Sequence, residues 1–228
     1  MLREILDEAA LKNGFISVQK IENLSFYMKS DAGSERYLIF FELPSLLSID
    51  AIQDIVLQAI PDSFKEQPAY SKNCDLLLIH KFAHLIEYQN FEDKILSYEE
   101  DPFHFKKYFL YFIRPEEDMV RTKNFEDLES IVGDQAKFSD YKKSPLQPSV
   151  YGLAARIFIK LPFLEMPRSE HDLVPLSADV DEAVAKAGLK DLNAKFNVYD
   201  VDPDIAELLT KDLINDELEN LKASDSSI

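Results

Sequence analysis

Ser97-Tyr98-Glu99-Glu100-Asp101-Pro102-Phe103-His104-Phe105-Lys106-Lys107-Tyr108-Phe109-Leu110-Tyr111 gathers an acidic triplet, a proline, a basic pair and a dense aromatic block into one short stretch. Asp101 before Pro102 is the pattern of a helix N-cap with proline at the first helical position. There the missing N–H is harmless and the carboxylate accepts orphan backbone donors. Glu99 and Glu100 lie just upstream, where the helix dipole favours negative charge. Lys94 to Tyr98 reads as a short strand leading in. The stretch therefore predicts a strand-to-helix corner with its charge concentrated at the turn.

Upstream of the corner the periodicities are clear. Leu2, Ile5, Leu6, Ala9 and Ala10 have the one-face spacing of an amphipathic helix over Leu2 to Lys12, stopped by Asn13-Gly14. Leu24 to Lys29 and Arg36 to Leu43 flank a turn-rich Ser30 to Glu35 and predict a hairpin. The second of these is nearly continuous in apolar residues, as in a strand covered on both faces. Ser48 caps a predicted helix running to Ala59, with Ile52, Ile55, Val56 and Ala59 on one side. Asn73 to His80 is a second buried strand candidate.

Downstream, Pro115-Glu116-Glu117-Asp118 marks a change of character. Asn124 to Val132, Phe138 to Lys143 and Ser149 to Lys160 read as helices, the first capped by Asn124 and closed by Gly133. Residues 168–228 hold 15 acidic and 6 basic side chains, a net charge of −9. Helices are expected over Ser177 to Lys186 and onward from Asp202-Pro203-Asp204, the latter with a leucine stripe, before a polar tail from Ala223. The expected class is α/β: a small mixed sheet flanked by helices, followed by a helical C-terminal region. The expected divisions are an α/β domain over 1–114, a helical region over 115–167, and an acidic helical segment with a flexible tail over 168–228.

Composition excludes several functions. The net charge of −17 disfavours generic binding to nucleic acid or to anionic membranes, which needs clustered Lys and Arg. A single cysteine, Cys74, leaves no internal disulfide and suits a reducing cytoplasm; beside Leu76 to Ile79 it reads as a buried structural thiol rather than a nucleophile. The acidic N-terminus is unlike a signal or transit peptide, and no apolar run reaches the ~20 residues of a membrane span. A cytoplasmic protein is expected. With 5 glycines in the chain there is no phosphate-cradling loop and no G-x-S-x-G. His80 and His84 are four apart, but His80 ends a strand and no third ligand stands at a recognisable spacing. No cofactor and no metal site are expected.

The corner itself admits three interpretations. Glu99, Glu100 and Asp101 are hard oxygen ligands that, with Asp75 and Lys106, would suit a metal-dependent hydrolase or nuclease. A restriction-type site, however, wants acid-x-Lys on a strand, and here the lysines follow on the expected helix. The structural alternative is a capped helix start whose Lys106 and Lys107 face solvent or the preceding acids. The third is a recognition surface in which Phe103, Phe105, Tyr108 and Tyr111 anchor a partner and the charges set register.

Glu99-Glu100-Asp101-Pro102-Phe103-His104-Phe105-Lys106-Lys107-Tyr108 resembles the signature of the middle component of ABC three-component systems, bacterial defence cassettes that include the Lamassu-type systems. Tyr37 to Glu42 and Asn73 to Ile79 support the likeness, which covers roughly Phe26 to Tyr111; it departs at Phe109 to Ile113, where the signature would end in a proline-containing block. The resemblance implies a non-catalytic adaptor between an SMC-like ABC ATPase subunit and an effector, often a nuclease. It makes Glu99, Glu100, Asp101, Pro102, Phe103, Phe105, Lys106, Lys107 and Tyr108 candidates for partner binding or for defining the fold. The alternative remains the metal-dependent hydrolase or nuclease. A weaker third is an antitoxin-like neutraliser whose segment 168–228 masks a basic partner.

Overall fold

The first helix follows directly from its spacing. The apolar positions expected on one face of α1 (Leu2–Lys12), namely Leu2, Ile5, Leu6, Ala9 and Ala10, are all buried. Gly14 ends the helix at φ 84, a conformation a side chain would resist. The structure, a computed structural model, describes residues 2–31, 34–67, 70, 72–167, 176–190, 193, 210–211 and 214–215. The chain forms two compact units, Met1–Ser169 and Glu170–Ile228.

The first unit is built on a five-stranded mixed sheet in the order β1-β2-β3-β4-β5. The strands are β1 (Ile16–Ile21), β2 (Leu24–Asp31), β3 (Ser34–Leu43), β4 (Cys74–Phe82) and β5 (Lys106–Ile113). β1, β2 and β3 form an antiparallel meander, while β3, β4 and β5 run parallel. Parallel neighbours need crossovers. The first passes through α2 (Ile49–Ala59) and α3 (Asp62–Lys65), the second through α4 (Glu87–Asn90) and α5 (Glu92–Glu99). After β5 come α6 (Arg114–Met119), α7 (Phe125–Val132), α8 (Gln135–Lys143) and α9 (Val150–Lys160).

Strand alternation splits the apolar side chains between two cores. Leu38, Phe40, Leu77, Ile79, Leu110 and Phe112 face a first core closed by α1, α7 and α9. Tyr37, Ile39, Leu76, Leu78, Phe109 and Ile113 face a second, closed by Ile52 and Val56 of α2, Phe64 of α3, and Ile95 and Tyr98 of α5. Because both faces are covered, β3 and β4 carry near-continuous apolar runs, which is why they were readable as central strands. The expected caps are present: Ser48 accepts from the Ala51 N–H and Asn124 from that of Asp127; Ser149 caps α9 in the same way, accepting from the Gly152 N–H.

The corner is the principal correction. Lys94 to Tyr98 belongs to α5, not to a strand, and the residues after Pro102 form a loop and then β5, not a helix. The order is helix-to-strand. Ile95 and Tyr98, three apart, supply the buried side of a helix, while the run from Tyr108 to Ile113 pairs in register with Leu77 to Phe82. β1 was not expected; it is an exposed edge strand, and a turn with Glu22 at φ 45 joins it to β2.

In the second unit, α10 (Leu176–Lys186) occupies the helix expected over Ser177 to Lys186. The helix expected from Asp202 and the polar tail lie outside the described residues, except that Thr210, Lys211, Ile214 and Asn215 are helical. Among the described residues no helix is long and apolar enough to cross a membrane.

Candidate functional site

The corner between α5 and β5 is organised by a lysine that points inward. Adjacent strand residues face opposite sides of a sheet. Lys107 therefore falls on the same side as Phe105 and Phe109, toward the second core, and its side chain is wholly buried. Its ammonium donates to Asp101 Oδ1 at 2.6 Å, the Phe103 carbonyl at 2.6 Å, the Phe105 carbonyl at 3.1 Å and the Asp101 carbonyl at 3.3 Å. A buried ammonium requires such company. Of the two settings expected for Lys107, solvent or the preceding acids, it takes the second: it pairs with Asp101, but from within the second core, where it ties the loop to the sheet from beneath.

Asp101 is the anionic half of this arrangement. Besides Lys107 it accepts from the Phe103 N–H at 3.1 Å and from the Gln53 amide of α2 at 2.8 Å. The capping geometry read from Asp101-Pro102 is thus half realised: the carboxylate does bind the backbone two residues on, but no helix follows. Burial pushes the Asp101 carboxyl up. Lys107, the Phe103 N–H and Gln53 outweigh that and hold it below the usual carboxylate range.

Glu99 serves a different purpose. β5 is an edge strand, and the backbone groups of Phe109, Tyr111 and Ile113 turn away from β4. Glu99 Oε1 accepts the Phe109 N–H at 2.8 Å and is bridged by Lys160 of α9 at 2.5 Å. Arg156 Nε donates to the Tyr111 carbonyl at 3.2 Å, and Glu116 Oε2 accepts the Ile113 N–H at 3.2 Å. Arg156 and the wholly buried Glu116 also pair with each other at 2.5 Å. Charged side chains occupying an edge in this way stop it from pairing with another chain.

Lys106 faces the other side of the sheet. It lies over the Tyr108 ring at 5.4 Å, and its pKa is raised chiefly by the Tyr108 hydroxyl and then by Asp75, its register partner on β4. Asp75 pairs with Arg36 at 3.3 Å; burial raises its pKa, with Arg36 and Lys106 opposing. Glu100, Pro102, Phe103 and His104 are exposed, while Phe105 is buried against Tyr70 at 6.3 Å between ring centroids.

The residues of a metal-dependent site are therefore not brought together. Asp75 and Lys106 lie on one face of the sheet, Asp101 and Lys107 on the other, and Glu99 at the strand edge. Among the described residues no three His, Cys, Asp or Glu side chains are grouped to hold a metal ion. His80 Nδ1 lies 2.9 Å from the Leu43 carbonyl and its ring stands against Phe82. Cys74 is buried at the head of β4, as expected, and burial pushes its thiol far up. Sequence reasoning missed Gln53, Glu116, Arg156 and Lys160. Gln53 alone left a signal, being a polar residue on the same helical stripe as Ile52 and Val56.

What the corner builds is a folded junction, and the sequence span around it has relatives. Residues 37–135 match the family model of ABC-three component (ABC-3C) system Middle Component 1. The resemblance read from the corner is borne out, with the span starting at Tyr37 instead of Phe26 and running beyond β5 to Gln135. The matched span thus holds β3 from Tyr37 onward, β4 and β5, both crossovers, and α6 and α7. A middle component is by its description one part of a multi-subunit system, and the chain fits such a part. No curated protein and no solved structure matches the chain.

Proposed function

We propose that the protein is a non-catalytic adaptor subunit of an ABC three-component defence system, working in the cytoplasm between an SMC-like ABC ATPase and an effector, often a nuclease. Hydrolysis and DNA cleavage reside in the other subunits. The observation that carries this reading is how the corner's charges are used. Asp101 faces Lys107, Glu99 faces Lys160 and a strand N–H, and Asp75 faces Arg36, so these acids serve the fold and leave no shared oxygen site for a metal. Together with the Middle Component 1 match, that favours a chain that acts by contact. The nuclease alternative gains no support from the same geometry, because its residues lie on opposite faces of the sheet.

The test is co-expression of the tagged chain with its genomic neighbours, followed by capture and light scattering. Recovery of an ABC ATPase subunit in fixed stoichiometry is the expected result. A chain that emerges alone and shows Mg²⁺- or Mn²⁺-dependent nuclease activity, lost in Glu100→Gln, would refute the adaptor reading.

A further inference from the structure

The two edges of the sheet are finished differently. Along β5 the outward backbone groups are taken by Glu99, Arg156 and Glu116. Along β1, the other edge, no strand among the described residues pairs with the outward side. Every residue of β1 is exposed or half-buried, and Ile16, Val18 and Ile21 are exposed apolar side chains, Ile16 at 58% and Ile21 at 38%.

The register shows which groups are open. Residues opposite each other in antiparallel strands alternate between pairs that exchange backbone hydrogen bonds and pairs that do not. On the far side of β2 the Glu42 N–H bonds the Asn23 carbonyl at 2.9 Å, so odd-numbered residues of β2 point to β3 and even-numbered ones to β1. Leu24, Phe26 and Met28 therefore bond toward Ile21, Gln19 and Ile16, whereas Ser25 and Tyr27 turn away from Lys20 and Ser17. The N–H and C=O of Ser17 and Lys20 are left facing outward. The register also skips Val18, so Ile16 and Ile21 both share a face with their partners Met28 and Leu24, toward the second core. Without that bulge, two residues five apart would face opposite sides.

We propose that the outer edge of β1 pairs antiparallel with β1 of a second copy of this chain, about a two-fold axis through the middle of the strand. Two-fold contacts are reciprocal. Both outward residues are satisfied in one such register only, with Ser17 opposite Lys20 of the second copy and Lys20 opposite its Ser17. The same register sets Ile16 opposite Ile21 of the second copy, and Ile21 opposite its Ile16. These are non-hydrogen-bonded pairs, in which side chains lie closest, so four exposed isoleucines close over one another on one face. A register with Lys20 opposite Lys20 would set like charges together. Lys20, a residue type that often guards an edge, is here held by Asp7 of α1. Charge selects the same place: residues 13–23 hold one lysine and one glutamate, a neutral edge in a chain of net charge −17, where two copies meet with least repulsion.

The experiment is sedimentation velocity of the purified full-length chain over a concentration series. The expected result is a reversible step from 26.2 kDa to twice that mass, with a dissociation constant of roughly 10–100 µM, as for an interface of small area. Ser17→Pro removes an outward donor that β2 does not use, and it weakens the dimer about 30-fold or more. Ile16→Glu and Ile21→Lys, each alone, do the same, because each buries an unpaired charge. Mixed in equal amounts, the Ile16→Glu and Ile21→Lys chains dimerise again: one contact becomes an ion pair and the other stays isoleucine on isoleucine. That rescue decides the matter where Ser17→Pro lowers the urea midpoint, since a change in folding alone would not produce it. A chain that stays at 26.2 kDa up to about 1 mM overturns the proposal. So does a dimer that survives Ile16→Glu, or a mixture that stays monomeric. A monomeric chain whose β1 substitutions abolish capture of a co-encoded subunit would assign the edge to a partner's strand and overturn the second copy as its occupant. The adaptor reading stands in each case.

Discussion

Replacing Lys107 by Met is the most direct trial of the corner. Methionine has nearly the length and volume of the lysine stem, so the cavity contribution is small and the loss is that of the ammonium alone. Four acceptor contacts vanish, from the Asp101 carboxylate and from the carbonyls of Asp101, Phe103 and Phe105. Removing one partner of a buried ion pair typically destabilises by about 3–5 kcal/mol. Asp101 keeps Gln53 and the Phe103 N–H, and its side chain is 14% exposed, so the low end of that range, ~3 kcal/mol, is expected. Urea unfolding reports it as a lower midpoint with unchanged slope. A double-mutant cycle with Asp101→Asn isolates the pair and should give a coupling of about 1–3 kcal/mol. The pH dependence has a definite sign. A carboxyl whose folded pKa is depressed contributes fully above its unfolded value, roughly 3.9, and loses the contribution as pH falls through the folded value. The gap between wild type and Lys107→Met therefore stays constant from neutral pH to about pH 5 and narrows only below about pH 4. A Lys107→Met chain within about 1 kcal/mol of wild type would mean that the loop is not held by this lysine, and the structural account of the corner would fail.

Three further outcomes follow from the same contacts. Glu99→Leu removes the acceptor for the Phe109 N–H and the partner of Lys160, so it should destabilise by about 2 kcal/mol and, by baring the β5 edge, increase aggregation in a light-scattering time course. Glu116→Ala leaves Arg156 of α9 half-buried without its carboxylate and strips the Ile113 N–H; a loss of about 3–5 kcal/mol in chemical unfolding is expected. Cys74, buried with its thiol pKa pushed far up, should resist aromatic disulfide reagents at pH 8 in the native chain and react at once in denaturant, so fast native labelling would contradict its burial.

Much of the frame was legible because its causes are local. The buried stripe of α1 is written in the spacing of Leu2, Ile5, Leu6, Ala9 and Ala10, and the starts of α2, α7 and α9 in Ser48, Asn124 and Ser149. Strands covered on both faces announce themselves by length and continuity, as β3 and β4 do. The corner was misread because its local signals are ambiguous. Asp101-Pro102 is a sound helix start, and a short apolar run such as Tyr108 to Ile113 fits a buried helix as well as a buried strand. What decides between them is pairing with Leu77 to Phe82, which lies far back in the chain. Gln53, Arg156 and Lys160 reach the site from equally distant positions, and β1 exposes too much of itself to leave an apolar pattern.

The choice of strand over helix also decides what the lysine pair does. On a helix, Lys106 and Lys107 would sit about 100° apart on one exposed flank and offer a single basic patch next to the acids. On a strand they part, one to each face. Lys106 joins Asp75 and Arg36 beside the first core, and Lys107 joins Asp101 and Gln53 beneath the loop. Lys107 thereby pairs with Asp101, Asp75 pairs with Arg36, and Lys106 stays exposed near Asp75, so the charge density that suggested a catalytic centre is divided between the two faces. Once those pairs and the Glu99 edge contact are accounted for, the motif's exposed remainder is small: Glu100, Pro102, the Phe103 ring, His104 and Lys106.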